Sequence, residues 1–130
     1  MFDMVNTMKT AASGMHAQGF RLRIVGENIA NADTSGYHRK TISFKSEVDH
    51  ATGAARVMPD RVALDRTDPR ETFEPGHPLA DERGILTLSN VNPLIEIADA
   101  REAQRSYQAN LSVFDQARRM FSNTLELIRR

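Results

Sequence analysis

The chain has no cysteine, which excludes a disulfide framework, a thiolate metal site and a cysteine nucleophile. It has no net charge either: seventeen Lys and Arg stand against seventeen Asp and Glu. Divided at residues 40 and 90, its three portions carry +2, −3 and +1. Nucleic acids and anionic membrane surfaces are recognised largely through clustered Lys and Arg, so this even spread argues against both as main partners. Long apolar runs are missing too. No stretch reads as a membrane span, and Asp3, Asn6, Thr7 and Lys9 interrupt the start, so a signal-peptide core is not expected there. If the protein leaves the cytoplasm, it does so on an uncleaved signal.

Catalytic patterns are equally scarce. His16, His38, His50 and His77 lie far apart and form no recognised metal motif. There is no glycine-rich phosphate loop and no nucleophile elbow around any serine. Asp60, Asp65, Asp68, Glu71 and Glu74 could supply paired carboxylates, but they alternate with Arg61, Arg66 and Arg70 and read as a solvated face. No catalytic residue, cofactor site, metal site or small-molecule substrate is expected.

What the sequence does have is helical period at both ends. Val5, Met8, Ala12, Met15, Gly19, Leu22, Gly26 and Ile29 are spaced three, four, three, four, which is a heptad seam. Its two glycines each lower helix propensity by about 1 kcal/mol, a cost that makes sense if a neighbouring backbone approaches closely there. A second helix is expected to open at Asn92-Pro93, with Asn92 as cap and Pro93 in the first turn. Its seam runs Ile97, Ala100, Gln104, Tyr107, Leu111, Phe114, Arg118, Phe121, Leu125, Ile128. A further row, Ala103, Val113, Ala117, Met120 and Leu127, widens the stripe and suggests burial among several helices. Asp115 with Arg119 and Glu126 with Arg130 have helix-supporting spacing. At about 1.5 Å per residue the second helix is a rod of roughly 50 Å, longer than a compact domain of this size needs. Such length implies partners.

Between the helices the period is lost, and Pro59, Pro69, Pro75 and Pro78 all lie there. Short alternating pieces at Thr41 to Phe44, Val62 to Leu64 and Ile85 to Val91 read as strands separated by turns. The expectation is a mainly α chain: an N-terminal helix over residues 1–32, a junction and small β-rich or irregular lobe over 33–91, and a C-terminal helix over 92–130. The two long helices form a coiled-coil-like core.

The junction from Asn28 to Tyr37 is the most informative short stretch. Small residues, Asn31 and then Gly36 form a helix stop in which Asn and Gly can take the left-handed conformation, and Tyr37 can anchor the exiting chain. An ordinary helix terminus and a rigid corner that projects the lobe both fit these residues. The stretch resembles the signature of flagellar rod and hook proteins. Ser13-Gly14, Asn28-Ile29-Ala30-Asn31 and Thr34-Ser35-Gly36-Tyr37 are similar to that family's N-terminal motifs, with Ser35 in place of its proline. Arg105-Ser106-Tyr107-Gln108-Ala109-Asn110 is similar to its C-terminal motif, with Gln108 in place of glutamate. Pro75-Gly76-His77-Pro78-Leu79-Ala80-Asp81, Gly84 and Asn90-Val91-Asn92 resemble proximal rod members, although Ile85-Leu86 and Ser89 depart from their pattern.

The resemblance implies a structural subunit of the basal-body rod, polymerising through its terminal helices into a torque-transmitting shaft. Its partners would be itself and other rod subunits in a helical polymer, and the flagellar export apparatus. It would lie in the rod where that crosses the periplasm, exported without a cleaved signal peptide. A sister kind of proximal rod subunit, a coiled-coil adaptor or export chaperone, and an enzyme with a site in the lobe are the alternatives.

Overall fold

The computed structural model describes residues 2–130; Met1, the start of the expected N-terminal segment, lies outside them. Two long helices, α1 (Phe2–Ala30) and α2 (Pro93–Arg129), enclose four strands: β1 (Lys40–Val48), β2 (Ala55–Leu64), β3 (Glu71–Phe73) and β4 (Ile85–Thr87). The fold is mainly α, with the long terminal helices flanking a small β and irregular middle, as the period led one to expect. Asn92 caps α2: its backbone is extended (φ −103, ψ 108) and its side chain accepts from Leu94 N, with Pro93 in the first turn.

The helices pack side by side in opposite directions. Asn28 meets Glu96, Arg21 meets Asp99 and Glu102, and Gly14 meets Asn110, so chain order descends along α1 as it ascends along α2. What they bury is small. Among the described residues ten hydrophobic side chains are buried, and six of these are alanine: Ala11, Ala17, Ala32, Ala54, Ala103 and Ala117. Alanines let helix axes come close but remove little apolar surface, and burial stabilises at about 25 cal/mol per Å². The helix pair therefore depends on its polar contacts more than an ordinary coiled coil does.

β1 and β2 form an antiparallel ribbon. The register shifts between Ser43 and Phe44, where Phe44 comes to face Pro59 and Asp60 is left unpaired. That bulge explains how a proline, which has no N–H to give the ladder, fits inside β2. β2 begins at Ala55 rather than at the expected Val62; its proline and its two largely exposed faces hide its alternation from the sequence. The ribbon folds back along α1, held there by Asn6 Nδ2 donating to Thr52 O (2.8 Å), Thr10 Oγ1 to Ala55 O (2.7 Å) and Val57 N to Ser13 Oγ (3.1 Å). The lobe thus leans on a helix for its stability.

β3 and β4 make a second, three-residue pairing. β3 has no period long enough to be read from sequence. The expected strand from Ile85 to Val91 ends at Thr87, because Ser89 and Asn90 bind other parts of the chain and Val91 N donates back to Ser89 Oγ. On α2, Asp115 pairs with Arg118 at 3.5 Å rather than with Arg119.

Candidate assembly site: the junction and the two helix faces

The chain leaves α1 through three successive turns, with Asn31 N donating to Glu27 O, Thr34 N to Asn31 O and Tyr37 N to Thr34 O. Gly36 takes φ +75, the left-handed conformation a glycine adopts without strain. Asn31 does not: no non-glycine residue among those described has positive φ. Its side chain works instead, donating from Nδ2 to Glu27 O (2.9 Å) and accepting at Oδ1 from Thr34 (3.1 Å).

Asn28 is the hinge pin of the corner. It is buried, and all four of its hydrogen-bonding positions are used. Oδ1 accepts from Tyr37 OH and Lys40 N, both at 2.9 Å, while Nδ2 donates to Lys40 O (2.9 Å) and Glu96 Oε2 (3.2 Å). One side chain therefore joins α1, the exiting chain, β1 and α2. Burial pushes the Tyr37 hydroxyl above its ordinary pKa, partly opposed by the charge on Lys40.

Glu96 has no exposure to solvent. Its other oxygen accepts from Arg39 Nε, and Arg39 also reaches Asp99 Oδ2 at 3.0 Å. Burial works against the arginine charge, yet the Glu96 bond and the charges of Glu96, Asp99 and Asp65 raise its pKa above the usual value. Arg21 completes the group from α1, 3.5 Å from Asp99. Outside this cluster, Lys40 and Glu27 pair at 2.9 Å, which lowers the Glu27 pKa and raises that of Lys40.

The exit from the lobe is tied just as closely. Asn90 accepts from Arg39 N (2.6 Å) and donates to Asp65 O and Thr67 O. Two serines clasp the corner from either side: Ser35 Oγ donates to Thr87 O (2.7 Å), and the buried Ser89 Oγ donates to Ala32 O. Of the two readings of this stretch, the rigid corner is the one these bonds support.

The comparisons with known proteins agree with this architecture. The "Flagella basal body rod protein" family model matches residues 8–38, the first helix and corner. "Flagellar basal body rod FlgEFG protein C-terminal" matches residues 82–127, the lobe exit and second helix. The flagellar basal-body rod protein FlgC of Agrobacterium fabrum is 47% identical over 128 residues, 93% of this chain and 92% of that one. The chain belongs to the FlgC family of flagellar basal-body rod proteins. Those of Aquifex aeolicus (34% identical, 97% of this chain and 98% of that one) and Salmonella typhimurium (33%, 95% and 97%) are similar over their whole length too. The similarity spans residues 45 to 73, which the short motifs leave unsupported.

In this FlgC-family chain the motif residues divide into those that build the corner, those that pack between the helices or close a turn, and those that are exposed. Asn28, Asn31, Thr34, Gly36 and Tyr37 form it, and Ala30 lies exposed beside it. Asn110 meets Gly14 across the helix pair: a Cβ on Gly14 would come within 2.9 Å of Asn110 Cγ, so the glycine permits this approach. His77 closes a local turn, its Nδ1 accepting from Leu79 N at 3.1 Å, with Pro78 exposed next to it. Arg105 and Ala109 are exposed on α2.

The heptad seams lie elsewhere. Val5, Met8, Met15, Leu22, Ala100, Phe114 and Phe121 are half-buried flanks, whereas Ala12, Gly19, Gly26, Ile29, Ile97, Tyr107, Leu111, Leu125 and Ile128 are exposed. Gly19 and Gly26 have nothing within 4 Å of where a Cβ would stand. Within the chain, then, the seams are not the buried contact: Met15, Gly19 and Tyr107 line an open groove at its edge. The inward contacts run from Gly14, Arg21 and Asn28 to Asn110, Asp99 and Glu96, with Ala103 and Ala117 buried in the same row of α2, one residue earlier in phase on both helices. One residue is about 100° of rotation. Arg39, Glu96, Asp99 and Arg21 were not singled out from sequence, although the seven-residue spacing of Glu96, Ala103, Asn110 and Ala117 was a signal that could have marked this face.

Proposed function

We propose that this FlgC-family subunit belongs to the proximal part of the basal-body rod and polymerises there, its outward helix faces covered by terminal helices of its neighbours. The observation that carries this is the apolar stripe of α2, in which Ile97, Tyr107, Leu111, Leu125 and Ile128 are 39–64% exposed. Apolar side chains at heptad spacing on one face are the usual lining of a helix–helix contact, and contiguous exposed patches of this kind mark interaction surfaces. A self-contained adaptor or chaperone would turn that face inward. The protein is a structural subunit, not an enzyme, in keeping with its family.

In this reading the terminal segments, 1–32 and 92–130, form the shaft, and the 33–91 lobe sits outside it at the angle set by the corner. Val5, Met8, Ala12, Met15, Gly19, Leu22, Gly26 and Ile29 contribute the α1 part of the contact; Ala100, Phe114 and Phe121 flank the α2 part. The subunit reaches the rod in the periplasm through the flagellar export apparatus without cleavage of a signal peptide. Close packing of many such helices gives the torsional stiffness a drive shaft needs. Leu111→Asp, which places a charge in the stripe, should abolish swimming and rod completion while the subunit is still made and exported. Full-length rods in basal bodies isolated from that strain would count against the stripe as a contact.

A further inference from the structure

We propose that Asn28, Glu96 and Arg39 act as a register lock, selecting which face of each helix turns inward and so keeping the apolar stripe of α2 outward. The proposal rests on the assembly reading only for why an outward stripe is useful.

Each helix carries two heptad faces, offset by one residue. If both helices turned by that one residue, Met15 would meet Leu111 and Ile29 would meet Ile97. Those pairs are more apolar than Gly14 with Asn110 and Asn28 with Glu96, which meet now, so burial alone favours the rotated pairing. Something specific must oppose it. Asn28 has all four hydrogen-bonding positions filled, and Glu96, with no solvent exposure, accepts from both Asn28 and Arg39. Turning α1 pulls Asn28 away from Lys40 and Tyr37; turning α2 pulls Glu96 away from Arg39, whose own backbone is held by Asn90. Buried polar groups that find partners in only one arrangement penalise the others. A single buried asparagine fixes the register of a coiled coil in this way, at some cost in stability.

The chain lacks cysteine, so its register can be read with introduced pairs. A Cβ at position 14 stands 2.9 Å from Asn110 Cγ, close enough that cysteines at 14 and 110 fall within disulfide reach. In the purified full chain, Gly14→Cys/Asn110→Cys should close under mild oxidation at least about tenfold faster than Met15→Cys/Leu111→Cys, a ratio equivalent to about 1.4 kcal/mol. Adding Asn28→Leu/Glu96→Leu should reverse that preference with helicity retained by circular dichroism. An unchanged preference overturns the lock. Loss of helicity overturns it as well, since Asn28 and Glu96 would then be needed to form the helices rather than to choose their faces. Glu96→Gln alone keeps one of the two acceptor oxygens in use and turns an NH2 toward the other donor, so the parent preference should fall; an unchanged preference there would refute the hydrogen-bonded basis of the lock. Swimming is not read in any arm, so failure of the assembly reading leaves these outcomes unaffected.

Discussion

The two faces of α2 have opposite chemistry. Turned toward α1 are Glu96, Ala103, Asn110 and Ala117, two small residues and two polar ones; turned away are Ile97, Leu111 and Leu125, the kind of side chain usually found in a core. A protein built to be stable alone would reverse this arrangement. Directional, partner-specific contacts are kept inside the chain, and in the assembly proposed above the non-directional apolar force acts between chains. In that reading the inner face sets geometry and the outer face holds most of the apolar burial still to come.

The sharpest way to break this comparison is to put the same charge on each face. Ala117→Asp buries an unpaired carboxylate between the helices and should cost the lone subunit several kcal/mol, seen as a large fall in its urea midpoint. Leu111→Asp should leave the unfolding free energy within about 0.5 kcal/mol of the parent, as surface changes usually do. If both variants lose stability equally, the faces are not distinct in the free subunit.

How much of this could be read in advance follows from the same contrast. Both long helices were legible, because a period sustained over the length of α2 and a cap such as Asn92-Pro93 are local signals. The phase of the inner contact was not. Two heptad-spaced faces lie one residue apart, and the apolar one draws the eye, whereas the choice is made by Glu96 and Arg39, 57 residues apart in sequence. The corner motif was visible as a motif, but that Asn28 saturates itself on Tyr37, Lys40 and Glu96 depends on strands and a helix that lie elsewhere in the chain. β2 was hidden by its own bulge, since Pro59 argues against a strand until the register shift beside it is known.

Removing the cation of the inner cluster is the next test in size. Arg39→Leu leaves Glu96 fully buried without its charged partner, and breaking a buried pair from one side typically costs about 3–5 kcal/mol. The measurement is urea unfolding of the free subunit. Asn28→Asp should also destabilise, because it brings a second carboxylate against Glu96 and replaces the donor Glu96 now accepts from. A smaller change at the same corner is Tyr37→Phe, which removes only the hydroxyl bonded to Asn28 and should cost about 0.5–1.5 kcal/mol. A loss below that range would show that the Tyr37 ring, rather than its hydroxyl, anchors the exit.

The finest comparison uses glycine, because the same substitution meets opposite surroundings on the two faces of α1. At Gly26 a new Cβ meets nothing within 4 Å, so Gly26→Ala should stabilise the lone subunit by about 1 kcal/mol through helix propensity alone. At Gly14 the same Cβ would stand 2.8 Å from Asn110 Nδ2 and 2.9 Å from its Cγ. The gain in propensity is then set against overpacking, typically about 1–3 kcal/mol, and Gly14→Ala should be neutral to destabilising. Asn110→Ala in the Gly14→Ala background removes the obstruction, so the two changes should be markedly non-additive in a double-mutant cycle. Gly26→Leu carries the comparison into the rod: it adds bulk where the free subunit has open space, and should leave the subunit folded but shorten or abolish rods if a neighbouring helix occupies that space. Normal swimming with Gly26→Leu would mean that the open side of α1 faces solvent in the assembled rod, leaving the α2 stripe as the principal contact between subunits.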